Sequence, residues 1–539
     1  MYAIRTYLLS CLLLWPTVSL FGQNEQDALL HSLYSSTGSA RSLGMTGAFS
    51  AVGADLSSAT LNPPALGFYR RSEFGITPAF RLANNEAEFL GTINSASKTN
   101  FGIGSWGFAF FNQVYRDDGR KREEVEKGLK SYTLAFGQNQ LDNYYREVRA
   151  SGYNEFSSIT DMFAERASGR FADQLLGDPN SLEGLAFTVF AIDTLAGSIN
   201  QYFPAFNNGR IDQNMQMIET GRNNEWFIAF GGNVSDRIYF GLSMGVQSIR
   251  YSQQFIFQEN DVNNLHRFYQ NNPLNPSFPL EFPAASLEYE DEFSTAGNGI
   301  NGRFGLIYRP VDALRVGISV QTPTFLSLTD EFYSRIRLEG DPGIFDGAQQ
   351  QETERGQFDY RLRTPYRATL GLMYLFGKQG FISADVDLTD YTAARLSTNV
   401  PINSPAFYDF QSENAAIQRS YKQAVNVRLG GELRADAFRF RAGAGYFGSP
   451  FSDAGSAYIP FDRFGGAVTA TENLDASRLI FSLGAGLRQP NYYLDVTLMN
   501  QRRKDKFSPY VTESQQVFNP NVISTRSTFI LATSLGFFF

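Results

Sequence analysis

The chain holds one cysteine and two histidines in 539 residues, and these scarcities exclude much of the chemistry a protein of this length could carry. The cysteine, Cys11, lies in an apolar stretch that opens the sequence. A chain trimmed behind that stretch has no thiol for a disulfide, a zinc site or a nucleophile. The histidines, His31 and His266, stand in no recognisable catalytic or metal-binding pattern, so a non-enzyme without a cofactor is expected. Charge is also scarce: Asp, Glu, Lys and Arg make up 19% of the chain, against roughly 25% in ordinary soluble domains. The net charge of -8 supplies no basic stripe for a phosphate backbone, which excludes nucleic acid as a partner. Beyond the opening stretch no apolar run reaches about eighteen residues. With a mean hydropathy of -0.25, that excludes a bundle of membrane helices. No Pro-rich, Ser-rich or like-charged linker divides the chain, so one large architecture is expected.

What is abundant is glycine, at 48 residues, and aromatic side chains, at 15%. Residues 1–22 combine Arg5, an apolar run from Tyr7 to Leu14 and a polar sequel from Gln23 to Asp27, the pattern of a cleaved secretory signal. Behind it the dominant period is two. Ile238, Phe240, Leu242, Met244 and Val246 alternate with Tyr239, Gly241, Ser243 and Gly245. Leu479, Phe481, Leu483 and Leu487 alternate in the same way with Arg478, Ser482, Gly484 and Arg488. One face is apolar and the other polar or glycine, as in a strand.

Alternation fits both a soluble sandwich and a membrane barrel; connection lengths separate them. Strands are expected at 72–82, 86–96, 105–115, 222–234, 237–251, 285–309, 314–328, 357–376, 380–391, 422–434, 437–448, 476–489, 491–504 and 526–539, about fourteen in all. After the first hairpin, tight turns such as Ser235-Asp236 and Ala435-Asp436 alternate strictly with long polar links. That asymmetry belongs to transmembrane barrels of the outer membrane, with short periplasmic turns and long extracellular loops. The terminal Phe537-Phe538-Phe539 agrees, since such a barrel seats aromatics in its interfacial girdle, and a C-terminal Phe resembles the signal read by the barrel-assembly machinery. The fold class is therefore an all-β, transmembrane antiparallel barrel over 72–539, in the outer membrane of a two-membrane bacterium. A segment at 116–221 departs from the pattern: Ile159, Met162, Phe163 and Ala167 recur at helical spacing behind a Ser158 cap with Asp161. It is read as a partly helical extracellular insertion whose apolar positions form a small core of their own.

Between signal and barrel, residues 23–71 are rich in small residues. Ala40-Arg-Ser-Leu-Gly-Met-Thr-Gly-Ala-Phe49 and Asn62-Pro-Pro-Ala-Leu66 resemble the N-terminal motifs of the FadL/TodX family of outer-membrane transporters, with one proline more than the family's usual Asn-Pro-Ala. Gly302 to Thr324, around Tyr308-Arg-Pro-Val-Asp312, and Pro365 to Tyr374 are similar to the family's paired strands. The resemblance implies a fourteen-stranded barrel with residues 23–71 as an N-terminal hatch. It also implies passive diffusion of hydrophobic compounds, such as long-chain fatty acids or aromatic hydrocarbons, past that hatch and through an opening in the wall. On this resemblance the hatch and ligand path is placed at Asn62, Pro63, Pro64, Ala65, Leu66 and Phe68. The expected partners are a hydrophobic small molecule and the bilayer. Family-like barrels also act as non-transporting partners of protein-secretion machinery, which stands as the alternative.

Two glycine spacings, Gly102-x-Gly104-x-x-Gly107 and Gly443-x-Gly445-x-x-Gly448, match a dinucleotide fingerprint. Both fall on alternating segments with no helix opening behind them. There, glycine on the lumen face leaves room for bulky neighbours. The lumen charges Arg315, Arg428, Arg439, Arg441, Arg478, Arg488, Asp385, Asp387 and Asp495 are expected to pair across the lumen and hold the plug, more than to guide a carboxylate.

Overall fold

The structure, a computed structural model, describes residues 25–539 apart from positions 34, 118–121, 196, 207–208, 264, 271–279, 341–347, 402–403, 405–406, 453–474 and 513–517. The signal expected at 1–22 lies outside the described residues. Fourteen antiparallel strands close on themselves. They are β1 (Glu73–Phe89), β2 (Thr92–Gln113), β3 (Leu129–Asn143), β4 (Ile211–Val234), β5 (Ile238–Asn260), β6 (Leu280–Val311), β7 (Leu314–Gln321 continued by Phe325–Gly340) and β8 (Gly356–Arg363 continued by Arg367–Phe376). β9 (Gly380–Asp390), β10 (Gln423–Ala435), β11 (Phe438–Phe447), β12 (Arg478–Arg488), β13 (Tyr492–Phe507) and β14 (Val522–Phe538) complete the ring. Closure is made by β14 on β1, from Phe538 opposite Glu73 to Val522 opposite Phe89. A closed ring leaves no edge of unpaired amides, which a bilayer could not satisfy.

The period-two pattern sorts side chains as the membrane reading requires. On β5, Tyr239, Ser243 and Gln247 are buried in the lumen while Phe240, Leu242, Met244 and Val246 are exposed on the outside. On β12, Leu483 is 67% exposed beside Ser482 at 4%. The outward face of nearly every strand carries such exposed Leu, Val, Ile and Phe, and in a bilayer that face meets acyl chains.

The strand count agrees with the sequence reading, but its partition does not. The expected strands at 72–82, 86–96 and 105–115 are two longer ones, because the first turn lies at Leu90-Gly91, both with positive φ, and not at the polar Asn84-Asn85. Asn85 is buried in the lumen and Asn84 lies on the outer face, so the pair continues a strand and marks no turn. The missing strand is β3, inside the segment read as an insertion, and β4 likewise begins at Ile211. β3 escapes notice because its outward face is short, with only Tyr132, Leu134 and Phe136 between Lys130 and Gln138. The alternation of links shifts accordingly. The first link at the loop end is the tight one, and the first at the terminal end, 114–128, is long.

Between β3 and β4 the chain forms a strand, Arg146–Asn154, paired with β4, and three short helices. The helix Ile159–Ala167 opens on a full capping box: Ser158 Oγ accepts from Thr160 N and Ser158 N donates to Asp161 Oδ2 at 2.8 Å. Burial is the main cause that pushes the Asp161 carboxyl up to about 6, against the Ser158 amide that lowers it. Ile159, Phe163, Leu182 and Leu185 pack against Phe255, Phe257, Leu287, Tyr289, Ile336 and Leu338 on the inner faces of the tall strands β5 to β7. The apolar positions of this segment therefore share a core with the barrel instead of making one of their own, and they cover its loop end.

If Leu483 faces acyl chains near the middle of the bilayer, Leu483→Arg should lower refolding stability in lipid vesicles by about 2–4 kcal/mol. Ser482→Ala should cost far less, and urea titrations followed by heat-modifiable gel mobility would show equal losses if the facing were inverted.

Candidate plug and lumenal chamber

Residues 25–68 fold inside the ring. They comprise a helix Glu25–Leu30, two single turns at Ala40–Leu43 and Ser58–Leu61, and a 3-10 helix Pro63–Phe68. Local chemistry shapes them. Ser39 caps the Ala40 turn by accepting from Ser42 N, while its own hydroxyl reaches the Asp55 carboxylate at 2.9 Å. The additional proline is accommodated because Pro63 and Pro64 occupy the first two positions of the 3-10 helix, where amide donors have no helical partner.

The plug lies so close to the wall that only glycine fits opposite it. A Cβ added at Gly241 would stand 2.5 Å from Pro64 N, at Gly305 2.0 Å from Asn62 Oδ1, and at Gly317 2.7 Å from Ser50 O. At Gly443 it would meet Met45 at 2.6 Å. The second glycine fingerprint thus marks a seat for plug backbone, and the first lies within β2. Polar groups fix the register. The Asp385 carboxylate accepts from Phe49 N at 2.9 Å, Ser50 N at 3.0 Å and Ser50 Oγ at 2.7 Å. Arg41 meets Glu432 at 3.1 Å, Glu432 meets Arg441 at 2.9 Å, and Arg441 meets Asp495 at 2.6 Å, a chain of charges running from plug to wall. Arg428 bonds Asp387 at 2.8 Å, and Arg315 donates to Val52 O. Most of the lumen charges singled out in the sequence are engaged here, while Arg439 donates to carbonyls of its own turn.

All six residues of the expected hatch path come together against β4 to β7. Asn62 is buried and donates to Ser50 O at 2.6 Å. Leu66 presses on Gly231, Ala65 clusters with Tyr239 and Ile307, and Phe68 stacks on Tyr239 at 3.8 Å with the Arg315 guanidinium 3.9 Å from its ring. None of the six lines the open space of the lumen. That space is a chamber of about 230 Å³ above the plug, between residues 25–38 and the inner faces of β1 to β3 and β12 to β14. Leu29, Leu33, Leu43, Met499 and Ile530 give it an apolar surface, and several arginines face it. These lining residues were not distinguishable in sequence, because register across six strands brings them together.

The chamber meets a break in the wall. The β2–β3 ladder runs from Gln113 opposite Ser131 to Ser105 opposite Asn139 and stops. Above that rung β2 pairs only with β1, and the end of β3 pairs only with β4. Bulges flank the break, one at Thr77/Pro78, where proline supplies no amide, and one at Gln140/Asp142. Asn143 Nδ2 donates across it to Asn100 Oδ1 at 2.8 Å. Asn100, Gly104, Gln140 and Asn143 line the chamber. On the outer face beside the break, Phe101 and Ile103 are exposed, at 71% and 47%. Just below, Trp106 and Trp226 meet edge-to-face at 5.5 Å.

No family model and no curated protein matches the chain by sequence. Among solved structures it is similar to a Pseudomonas aeruginosa FadL homologue, with a TM-score of 0.50 at 13% identity over 94% of this chain and 99% of that one. It is also similar to the P. putida toluene transporter TodX, at TM-score 0.47, 13% identity and coverage of 94% and 99%. The CymD monoaromatic hydrocarbon channel gives TM-score 0.44, 12% identity and coverage of 93% and 98%. The chain has the FadL/TodX-like fold.

Asp385→Ala removes one acceptor from three buried donors of the plug, each worth about 1–3 kcal/mol when stranded. In planar bilayers this variant, and Gly305→Val with its steric clash, should show frequent openings that the parent lacks. Gly102→Ala, with nothing nearer than 3.9 Å, should behave as the parent.

Proposed function

We propose that this protein is an outer-membrane channel through which hydrophobic compounds diffuse passively between the lumenal chamber and the bilayer. The observation that supports the reading is the interrupted β2–β3 ladder, which brings the chamber to a break in the wall flanked by outward-facing Phe101 and Ile103. An apolar molecule crossing into water loses about 25 cal/mol for each Å² of apolar surface. A side exit at the level of the acyl chains avoids that loss, whereas an axial pore would impose it. Residues 23–71 act as the hatch, with Asn62 to Leu66 and Phe68 as the latch that holds its far end to the wall while the chamber end handles the ligand. In the alternative role, as a partner of secretion machinery, neither an apolar-lined chamber nor a break in the wall would serve a purpose.

The chain carries no cysteine behind Cys11, so paired cysteines report cleanly. Asn100→Cys with Asn143→Cys, joined by a short thiol cross-linker, should close the break and abolish cellular uptake of radiolabelled fatty acid and toluene, with uptake returning when a cleavable linker is reduced. Cross-linked protein that transports at the parent rate would refute the lateral route. Deletion of residues 23–71 should leave a folded, heat-modifiable barrel in the outer-membrane fraction, more permeable to small polar solutes. If the intact protein takes up no hydrophobic compound while loop deletion blocks export of another protein, the secretion role replaces this one.

A further inference from the structure

A glycine inside a strand weakens it unless backbone conformation, a close neighbour or a ligand requires the missing side chain. The glycines that face the plug answer to a close neighbour. Gly102 and Gly104, which open the first glycine fingerprint on β2, do not. Neither has a positive φ. A Cβ at Gly102 would find only Asn100 Oδ1, at 3.9 Å. One at Gly104 would stand in ordinary contact with Thr77 O at 3.4 Å and Ala79 Cβ at 3.6 Å. Backbone and packing leave both positions open to a side chain, so the reason for its absence lies in the space they face.

That space is the break in the wall. Its lower border is the last β2–β3 rung, Ser105 opposite Asn139. Its upper border is the bond from Asn143 to Asn100, five residues along β2, or roughly 17 Å at the rise of a strand. Higher still, Ser151 N donates to Asn94 Oδ1 at 2.9 Å, so the strand Arg146–Asn154 backs the wall from within. Between the two borders Gly102 and Gly104 face the lumen, while Phe101 and Ile103 stand outside. Gly104 lines the chamber, and it is the residue the bulge leaves over, since Thr77 stands opposite Ser105 and Pro78 opposite Ile103. Arg81 reaches the same place. Its Nη2 lies 3.7 Å from the Cβ position of Gly104, and its buried Nη1 meets no acceptor among the described residues. The passage thus presents bare backbone beside a donor that the protein itself does not use.

We propose that Gly102 and Gly104 set the cross-section of the cargo that crosses the break, as the specificity-determining residues of the lateral route. The inference rests on that route, as given under the proposed function. Slender molecules, unbranched chains and single rings, slip past two strand residues that have no side chains. A side chain at either position narrows the window toward residues 140–143, and wide molecules are excluded first. The test is uptake, by cells carrying the full-length protein, of two radiolabelled acids that share chain length and headgroup, hexadecanoate and its tetramethyl-branched counterpart phytanate. The parent should take up both. Gly102→Val should slow phytanate about tenfold, as when extra methyl groups are forced into a filled space, and leave hexadecanoate within about twofold of the parent. Gly104→Ala, a smaller addition, should slow phytanate about threefold. Gly302→Val, at a roomy glycine beside Met244 on β6 with no neighbour nearer than 3.8 Å, should leave both acids at the parent rate. Openings in planar bilayers should stay as rare as in the parent for all three variants, which separates a narrowed window from an unseated plug, and heat-modifiable mobility confirms folding. A parent that excludes phytanate, or window variants that slow both acids equally or neither, would overturn the filter and leave the transport reading intact. If the parent takes up neither acid, the transport reading falls with it.

Discussion

The plug's closest approaches to the barrel are made at four places where the wall residue is glycine. Backbone at Met45, Ser50 and Pro64 and the Asn62 side chain come so near Gly443, Gly317, Gly241 and Gly305 that one methyl group at any of these positions would collide with them. This close approach sets the rest of the interior. It brings Asp385 within reach of two plug amides and a hydroxyl, and Glu432 within reach of Arg41. A wide ring of strands gains little from an empty lumen, and here dispersion contacts and charge-assisted bonds fill the end that carries the C-terminus.

That filling is uneven, and the unevenness matters to function. On the side of β4 to β7 the plug is seated on the wall through Asn62 to Phe68, with stacked rings and buried bonds. Toward β1 to β3 and β12 to β14 it is held as well, Ala40 N donating to Ser534 Oγ at 2.7 Å and Asn139 Nδ2 to Thr60 Oγ1 at 2.7 Å, but above those contacts the chamber opens. The wall is weakest on that same side, where Pro78, the bulge at Gln140 and the lost β2–β3 rungs coincide. At the loop end, the helices behind Ser158 pack on the inner faces of β5 to β7, so the barrel is covered there too.

The charges separate along the same line. Where the plug touches the wall, arginines and carboxylates alternate: Arg41, Glu432, Arg441 and Asp495 form one chain. Around the chamber, arginines face arginines. Buried ion pairs in the first region have their desolvation offset by partners on both sides.

The period-two pattern, the terminal phenylalanines and the tight turns determined the barrel and its outward faces, because each depends on residues close in sequence. Ser158 and Asp161 likewise announced their helix, and Asn62-Pro-Pro marked a special turn by resemblance. The boundaries failed where a strand was thin in apolar residues, as β3 is, or where polar residues such as Asn84 and Asn85 continued a strand instead of entering a loop. The chamber, the arginine row and the wall break were invisible. Arg478, Arg503 and Arg526 are ordinary residues of three separate strands until register sets them opposite one another, and β2 and β3 are unremarkable until their ladder stops at Ser105. Alternation assigns a residue to a face; only closure of the ring decides which faces meet across the lumen, and therefore where it is full and where it is open.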